Sequence, residues 1–511
     1  MEHDFLDSSY NAQYRGLQAF LSAPQVRRNL LLGQQEPRID RSIQRIGEYG
    51  NEEFNTLVGH AMQARDLYLI IGPPGTGKTS YGMKNLLVEE LQHKGSNVLL
   101  LSYTNRAVDE ICSKLLEIDG LDFIRIGSDY SCEPAYRPYL LSERIEQMEQ
   151  PSRQRVLNLI SRTRVFCGTT TALSASISLL SIKHFSLAIV DEASQILEPH
   201  LLGLLSATTP QGESAIRRLV LIGDEKQLPA VVQQSERESE VNNPMLNNIG
   251  LSNCRLSLFE RLLHLYAYLP NGSINEEVCH MLTRQGRMPH DIANFPSQHF
   301  YEGKLCEVPL PHQIEPTQAV TNKQSDIERA VTSCRVSFLH CTANLTPQEP
   351  DKVNTTEAQL IAQLAERIYK LNANNFSALK TIGIIVPYRN QIATVRTAIS
   401  HLNIKGLNNI TIDTVERYQG SQRDYIIYGF TAKHKYQLAF LTNHEYRDER
   451  TGSVIDRKLN VAMTRARKHL LLVGNAELLC NDFTFRKLIE YAKSNNNFFC
   501  IEEKMHAKQK Q

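Results

Sequence analysis

One stretch of the chain leaves few folds open: Gly72-Pro73-Pro74-Gly75-Thr76-Gly77-Lys78-Thr79, set directly after the apolar run Leu67–Ile71. This is G-x-x-x-x-G-K-[ST] in the setting it requires, strand then loop then helix. The glycines let the backbone curl so that successive N–H groups face a polyphosphate, and the following helix adds its positive N-terminal end. Lys78 can reach the β and γ phosphates, and the Thr79 hydroxyl can ligate Mg²⁺. Gly72 to Ser80 is therefore the expected nucleotide cradle.

The rest of the chain repeats the same grammar. Short apolar runs recur at Val98–Tyr103, Val165–Gly168, Leu187–Val190 and Leu219–Ile222, then at Val336–His340, Ile382–Val386, Ile410–Ile412, Tyr425–Tyr428 and His469–Val473. Runs of four to six without alternation suit strands buried on both faces of a parallel sheet. Helical stretches such as Tyr81–His93 and Arg106–Glu117 lie between them, so the fold class is α/β. At about 150 residues per domain, 511 residues allow two large domains with insertions. The expected division is a helical lead-in over 1–50, a first domain over 51–275, a second over 276–480 and a helical tail over 481–511. Residues 128–163, rich in Glu, Arg and Gln, read as a helical insertion in the first domain, and 233–250 as a polar loop.

Composition removes several classes. With 41% hydrophobic and 22% charged residues the chain is neither disordered nor fibrous. No apolar run is long enough to span a membrane, and Met1–Tyr10 carries acids rather than a basic leader. None of the ten cysteines forms a C-x-x-C pair; Cys334, His340 and Cys341 read as part of a buried strand. A reducing cytoplasm fits best. The net charge of +1 taken alone mildly disfavours a nucleic-acid partner.

A phosphate cradle needs a second metal ligand and a means of activating water. Leu187–Val190 runs into Asp191-Glu192-Ala193-Ser194-Gln195. A carboxylate at the end of a buried strand can hold Mg²⁺, which assigns Asp191, and Glu192 can accept a proton from the attacking water. Leu219–Ile222 ends in Gly223-Asp224-Glu225-Lys226-Gln227, where the Gln227 amide can both donate and accept near the γ-phosphate. Arg287, in Gln285-Gly286-Arg287-Met288, and Arg465, in Thr464-Arg465-Ala466-Arg467, supply guanidinium forks suited to a transferring phosphoryl group.

In this order the motifs resemble those of superfamily 1 helicases, in the group B branch of RNA-surveillance and flap-processing helicases, over roughly residues 50–476. The resemblance also rests on Ser102–Asp109, Cys167–Thr170, Phe295–Ser297 with Phe300–Gly303, Val386–Arg389, Thr414–Asp424 and Asn460–Arg467. It implies two RecA-like P-loop domains with parallel sheets and ATP in the cleft between them, Arg287 and Arg465 coming from the second. It implies strand contacts by Thr104, Asn105, Thr169, Thr170, Pro387, Tyr388 and Thr414. It implies ATP and Mg²⁺ as ligands, single-stranded DNA or RNA as partner, and 5′→3′ movement. The alternatives are an ATP-switched clamp that does not separate strands, and the motor part of a larger helicase–nuclease system whose protein partners supply nuclease or targeting function. A monomer is expected.

Three departures fall on the nucleoside side. Phe54 stands near where relatives carry a Gln before the P-loop strand. Gly286 replaces a Tyr, and Gln422, in Gln419-Gly420-Ser421-Gln422-Arg423-Asp424, replaces an acid at an expected nucleotide contact. Relaxed base discrimination is the expectation. The basic residues cluster at Arg457, Lys458, Arg465, Arg467 and Lys468; many are expected to face ATP, which predicts modest affinity for a strand and a shallow salt dependence.

Overall fold

Every residue of β1 (Leu67–Ile71) is buried, as an apolar run without alternation demands. The same holds for β2 (Val98–Ser102), β3 (Phe123–Ile126) and β4 (Val165–Thr169), and for nearly all of β5 (Phe185–Val190) and β6 (Ile216–Gly223). With β7 (Cys279–Met281) they form one sheet in the order β3-β4-β2-β5-β6-β1-β7, parallel throughout. The computed structural model describes residues 8–321, 324–342, 349–442, 446–448 and 451–501.

The chain divides into two units. The first takes Met1–Pro73, Gly77–Glu225 and Pro229–Leu282; the second takes Pro74–Thr76, Lys226–Leu228 and Thr283–Gln511. In the first, apolar clusters fill both faces of the sheet, one around Leu69, Leu101 and Val190, the other around Ile70, Leu100 and Ile189. The lead-in contributes helices Ser8–Ser22 and Gln25–Leu31. The 128–163 stretch is a series of short helices ending in Arg153–Arg162, fastened to β3 by Tyr139 stacked on Phe123 at 4.3 Å.

The second unit opens with a two-stranded pair, β8 (Arg284–Gln285) and β9 (Cys306–Glu307). Its main sheet is built from β10 (Val336–His340), β11 (Ile382–Ile385), β12 (Thr411–Asp413), β13 (Arg423–Gly429), β14 (Ala466–Gly474) and β15 (Phe498–Cys500). The order is β12-β11-β13-β14-β10-β15, again all parallel. Two parallel α/β sheets agree with the RecA-like expectation.

Two local readings change. Helix does not begin at Tyr81: Lys78–Met83 is wound as a π-helix and only then does α-helix run over Lys84–Gln92. The stretch from 481 is not wholly helical either. After helix Phe483–Ser494, β15 pairs with β10, because Phe498 stacks on Phe338 at 5.7 Å and Phe499 is buried in the core. Residues 1–7 of the lead-in and 502–511 of the tail lie outside the described residues.

A buried acid organises one end of the second sheet. Glu357, on helix Thr355–Leu371, is fully buried and both of its oxygens accept the Thr431 amide at 2.9 Å. Thr431, just past β13, has φ +53, a conformation unfavourable for a β-branched residue and held here by that carboxyl. Burial pushes the Glu357 carboxyl up to about 8 despite these bonds. The unfolded chain ionises here near pH 4.5 and the folded one only near 8, so the advantage is complete below 4.5 and is lost as pH rises to about 8. Each unit in that window removes about 1.4 kcal/mol. Glu357→Gln should therefore flatten the fall in melting temperature between pH 5 and 8; parallel curves for the two proteins would refute the assignment.

Candidate nucleotide and strand sites

β1 delivers the chain into the cradle at Gly72. Gly75 and Gly77 take φ +79 and +77, which an L side chain resists, and so the loop can turn its amides inward. At Gly72 a Cβ would lie 2.7 Å from the Lys78 Cδ, so this position too must be bare. Pro73, Pro74 and Thr76 are buried, while Ser80 is half-buried.

Two paired contacts follow. The Thr79 hydroxyl donates to Asp191 Oδ2 at 2.6 Å, and Lys78 Nζ meets Glu192 Oε1 at 2.9 Å. Asp191 Oδ1 accepts the Glu192 amide at 2.9 Å, and Glu192 Oε2 accepts from Gln195 Nε2 at 2.7 Å. Glu192 has φ +54, a strained conformation of the kind found at working sites. Burial and the neighbouring Glu192 push the Asp191 carboxyl up to about 6, against the pull of Lys78 and Thr79. Burial alone would lower Lys78, but the carboxylates of Glu192, Asp191 and Asp224 outweigh it and hold the ammonium above its ordinary value. A hydroxyl and a carboxylate in contact, both buried, are the hard oxygen donors that Mg²⁺ prefers.

The strand order explains this convergence. β5, β6 and β1 are neighbours, so the loops after their carboxyl ends, carrying Asp191, Asp224 and the cradle, share one edge of the sheet. That edge is where open α/β sheets bind ligands. β2 and β4 lie on the other side of β5, and the expected strand contacts leave their carboxyl ends. The edge is thus shared between the residues expected at the phosphates and those expected at the strand.

The residues expected at the strand are unevenly presented. Thr104 and Asn105 are exposed, the Thr104 hydroxyl capping the next helix through the Ala107 amide at 3.2 Å. Thr169 caps likewise through Ala172 at 3.1 Å, but is buried. Thr170 is 1% exposed and its hydroxyl has no hydrogen-bond partner among the described residues. Beside it, Gly16 of the lead-in helix crosses Gly203 so closely that a Cβ on Gly203 would lie 2.5 Å from the Gly16 Cα.

In the second unit Pro387 and Thr414 follow the carboxyl ends of β11 and β12 and are half-buried. Tyr388 does not offer its ring to solvent: it is 7% exposed and stacked on Phe440 at 4.9 Å, with planes 14° apart. Phe440 is the exposed aromatic there, and Lys458 Nζ lies 4.4 Å from its ring centre. No sequence motif marked Phe440, since its exposure depends on Tyr388 beneath it.

The opposite edge of that sheet gathers the guanidinium groups. Arg287 Nε donates to Gln422 Oε1 at 3.0 Å and its Nη1 to the Thr464 carbonyl at 3.1 Å. Gln285 shapes the turn, its Oε1 accepting the amides of Arg287 and Met288. Arg465 is 2% exposed; its Nε donates to the Val461 carbonyl at 3.0 Å and its Nη2 to Gln227 Oε1 at 2.8 Å, both within the second unit. Gln422, expected at the nucleotide, is engaged by Arg287.

Models of the AAA domain match residues 50–164, 147–235 and 254–477. The chain is 29% identical over 454 residues to the DNA replication ATP-dependent helicase/nuclease JHS1 of Arabidopsis thaliana, covering 84% of this chain and 28% of that protein. It is 28% identical to the human DNA replication ATP-dependent helicase/nuclease DNA2, covering 87% and 38% respectively. It is also 28% identical to Regulator of nonsense transcripts 1 of Dictyostelium discoideum, covering 87% and 32%. The chain therefore spans well under half the length of these relatives. Among the described residues no helix is long and apolar enough to cross a membrane.

Proposed function

The chain belongs to the superfamily 1 helicases, in their group B branch, and from that membership we propose that it is a nucleic-acid-dependent ATPase acting as a 5′→3′ helicase or single-strand translocase on DNA or RNA. The observation that carries the reading is the double pairing Thr79–Asp191 and Lys78–Glu192 at the carboxyl edge of one sheet.

Each residue has one task. The amides of Gly72–Thr79 and the Lys78 ammonium hold the β and γ phosphates of ATP. Thr79 and Asp191 would hold Mg²⁺, which when bound neutralises phosphate charge. Glu192 accepts the proton of the attacking water, for which its strained backbone and its link to Lys78 keep the carboxylate aimed. Arg287 and Arg465 meet the charge that develops on the transferring phosphoryl group, and Gln227 senses its loss. Thr104, Asn105, Pro387 and Thr414, with the exposed Phe440, grip the strand alternately as the nucleotide turns over, while Thr169, Thr170 and Tyr388, which are buried, support that surface. The cytoplasm is the proposed compartment.

The test is the ATPase rate with and without single-stranded DNA or RNA. At least tenfold stimulation by one of them is expected; a flat rate with both would sink the reading. Duplexes with 5′ or 3′ overhangs then read polarity.

A further inference from the structure

An aromatic pair lies against the phosphate cradle: Tyr81, which no family motif marks, and Phe54, near the place where relatives carry a Gln. Tyr81 sits three residues past Lys78, within the π-helical turn, where the Gly82 amide reaches back to the Gly77 carbonyl at 3.0 Å. Such wide turns concentrate at functional sites because they rotate a side chain out of the regular helical face. Tyr81 is 59% exposed. It is nevertheless fixed in place. A Cβ on Gly77 would lie 2.7 Å from its Cδ2, so the ring rests on the backbone of the cradle itself. Phe54 backs it, with ring centres 5.7 Å apart and planes at 35°.

Phe54 is held in turn. It is 7% exposed, and its amide donates to the Asn51 side chain at 2.9 Å, so the Asn51 oxygen is committed to capping the helix Glu52–Gln63. The result is a supported aromatic face beside the phosphate-binding amides, built wholly from the first unit. A nucleotide held by its phosphates at Gly72–Thr79 carries its sugar and base out of that cradle, and Tyr81 is the exposed flat surface on the cradle's own rim.

We propose that Tyr81, backed by Phe54, is the platform on which the nucleoside of a bound nucleotide stacks, and that this contact makes recognition indifferent to the base. Stacking on an aromatic face accepts any nucleobase, since each has a π surface. A base edge is read only by hydrogen-bonding groups, and Phe54 has none. The ligand class is a nucleoside di- or triphosphate of any base. This rests on the ATPase reading for the role of the nucleotide, but binding can be measured without a strand.

The experiment titrates the full chain with N-methylanthraniloyl-ADP and competes it with ATP, GTP, CTP, UTP and inorganic tripolyphosphate. For the wild-type protein the four nucleotides should fall within about tenfold of one another. Tyr81→Ala should weaken all four by about tenfold, the size of one lost base–aromatic stack, and leave tripolyphosphate unchanged. Tyr81→Phe should match wild type, while Tyr81→Leu, which fills the space without a π face, should match alanine. Unchanged affinities in Tyr81→Ala, a loss confined to ATP, an equal loss for tripolyphosphate, or a wild-type preference for ATP over GTP above a hundredfold would each overturn the proposal. Because no strand is present, absence of strand-stimulated hydrolysis would sink the helicase reading without touching this one.

Discussion

Lys78→Ala should lower the ATP hydrolysis rate by about 10²- to 10³-fold, the scale of removing one preorganised charge-stabilising group. Two effects act together. The ammonium that would meet the β and γ phosphates is gone, and the carboxylates of Glu192, Asp191 and Asp224, which hold Lys78 above its ordinary pKa, lose their shared counter-ion. Asp191, already pushed up to about 6 by burial and by Glu192, is then driven further toward its protonated form and becomes a poorer metal ligand. A rate within fivefold of wild type, with the melting temperature preserved, would remove Lys78 from the catalytic set.

Much of this was readable from residue order. All ten apolar runs became strands, because a strand buried on both faces must be apolar throughout. The three strands of the two main sheets that went unread fail that test for identifiable reasons. β3 carries Arg125, whose charge is buried but paired with Asp109, so burial was not visible in its composition. β7 and β15 are three residues long at sheet edges, too short for a periodic signal; the same brevity hides the small pair β8–β9.

The site divides in the same way. Backbone-driven features follow from glycine positions and strand ends, so the turn at Gly72–Thr79 and the placement of Asp191 and Glu192 just past β5 were legible. Side-chain partners brought together from distant sequence were not. Nothing in the sequence says that Tyr388 lies under Phe440, that Gln422 accepts from Arg287, or that Thr170 is covered where Gly16 crosses Gly203. The near-neutral charge also reads differently now: basic residues such as Arg125, Arg218 and Arg261 are buried in ion pairs of the first unit and contribute nothing to a strand-binding surface.

Arg465→Lys should cost nearly as much as Arg465→Ala, about 10³-fold in kcat, the lower end of what a guanidinium on a transferring phosphoryl group supplies. Arg465 is buried, and its Nε and Nη2 are committed in different directions, to the Val461 carbonyl and to Gln227 Oε1. A guanidinium can keep both and still offer further N–H groups in a fixed plane, whereas an ammonium has three donors on a flexible stem and no fork. Charge alone is thus insufficient. The loss should fall on kcat, with the affinity for ADP within threefold of wild type, because an interaction made only in the transition state leaves ground-state binding untouched. Lysine also keeps most of the buried volume, so the melting temperature of Arg465→Lys separates a catalytic loss from unfolding. Retention of more than half the wild-type kcat by the lysine variant would show that position 465 supplies charge without the fork, and a parallel loss of ADP affinity would place Arg465 in binding rather than catalysis.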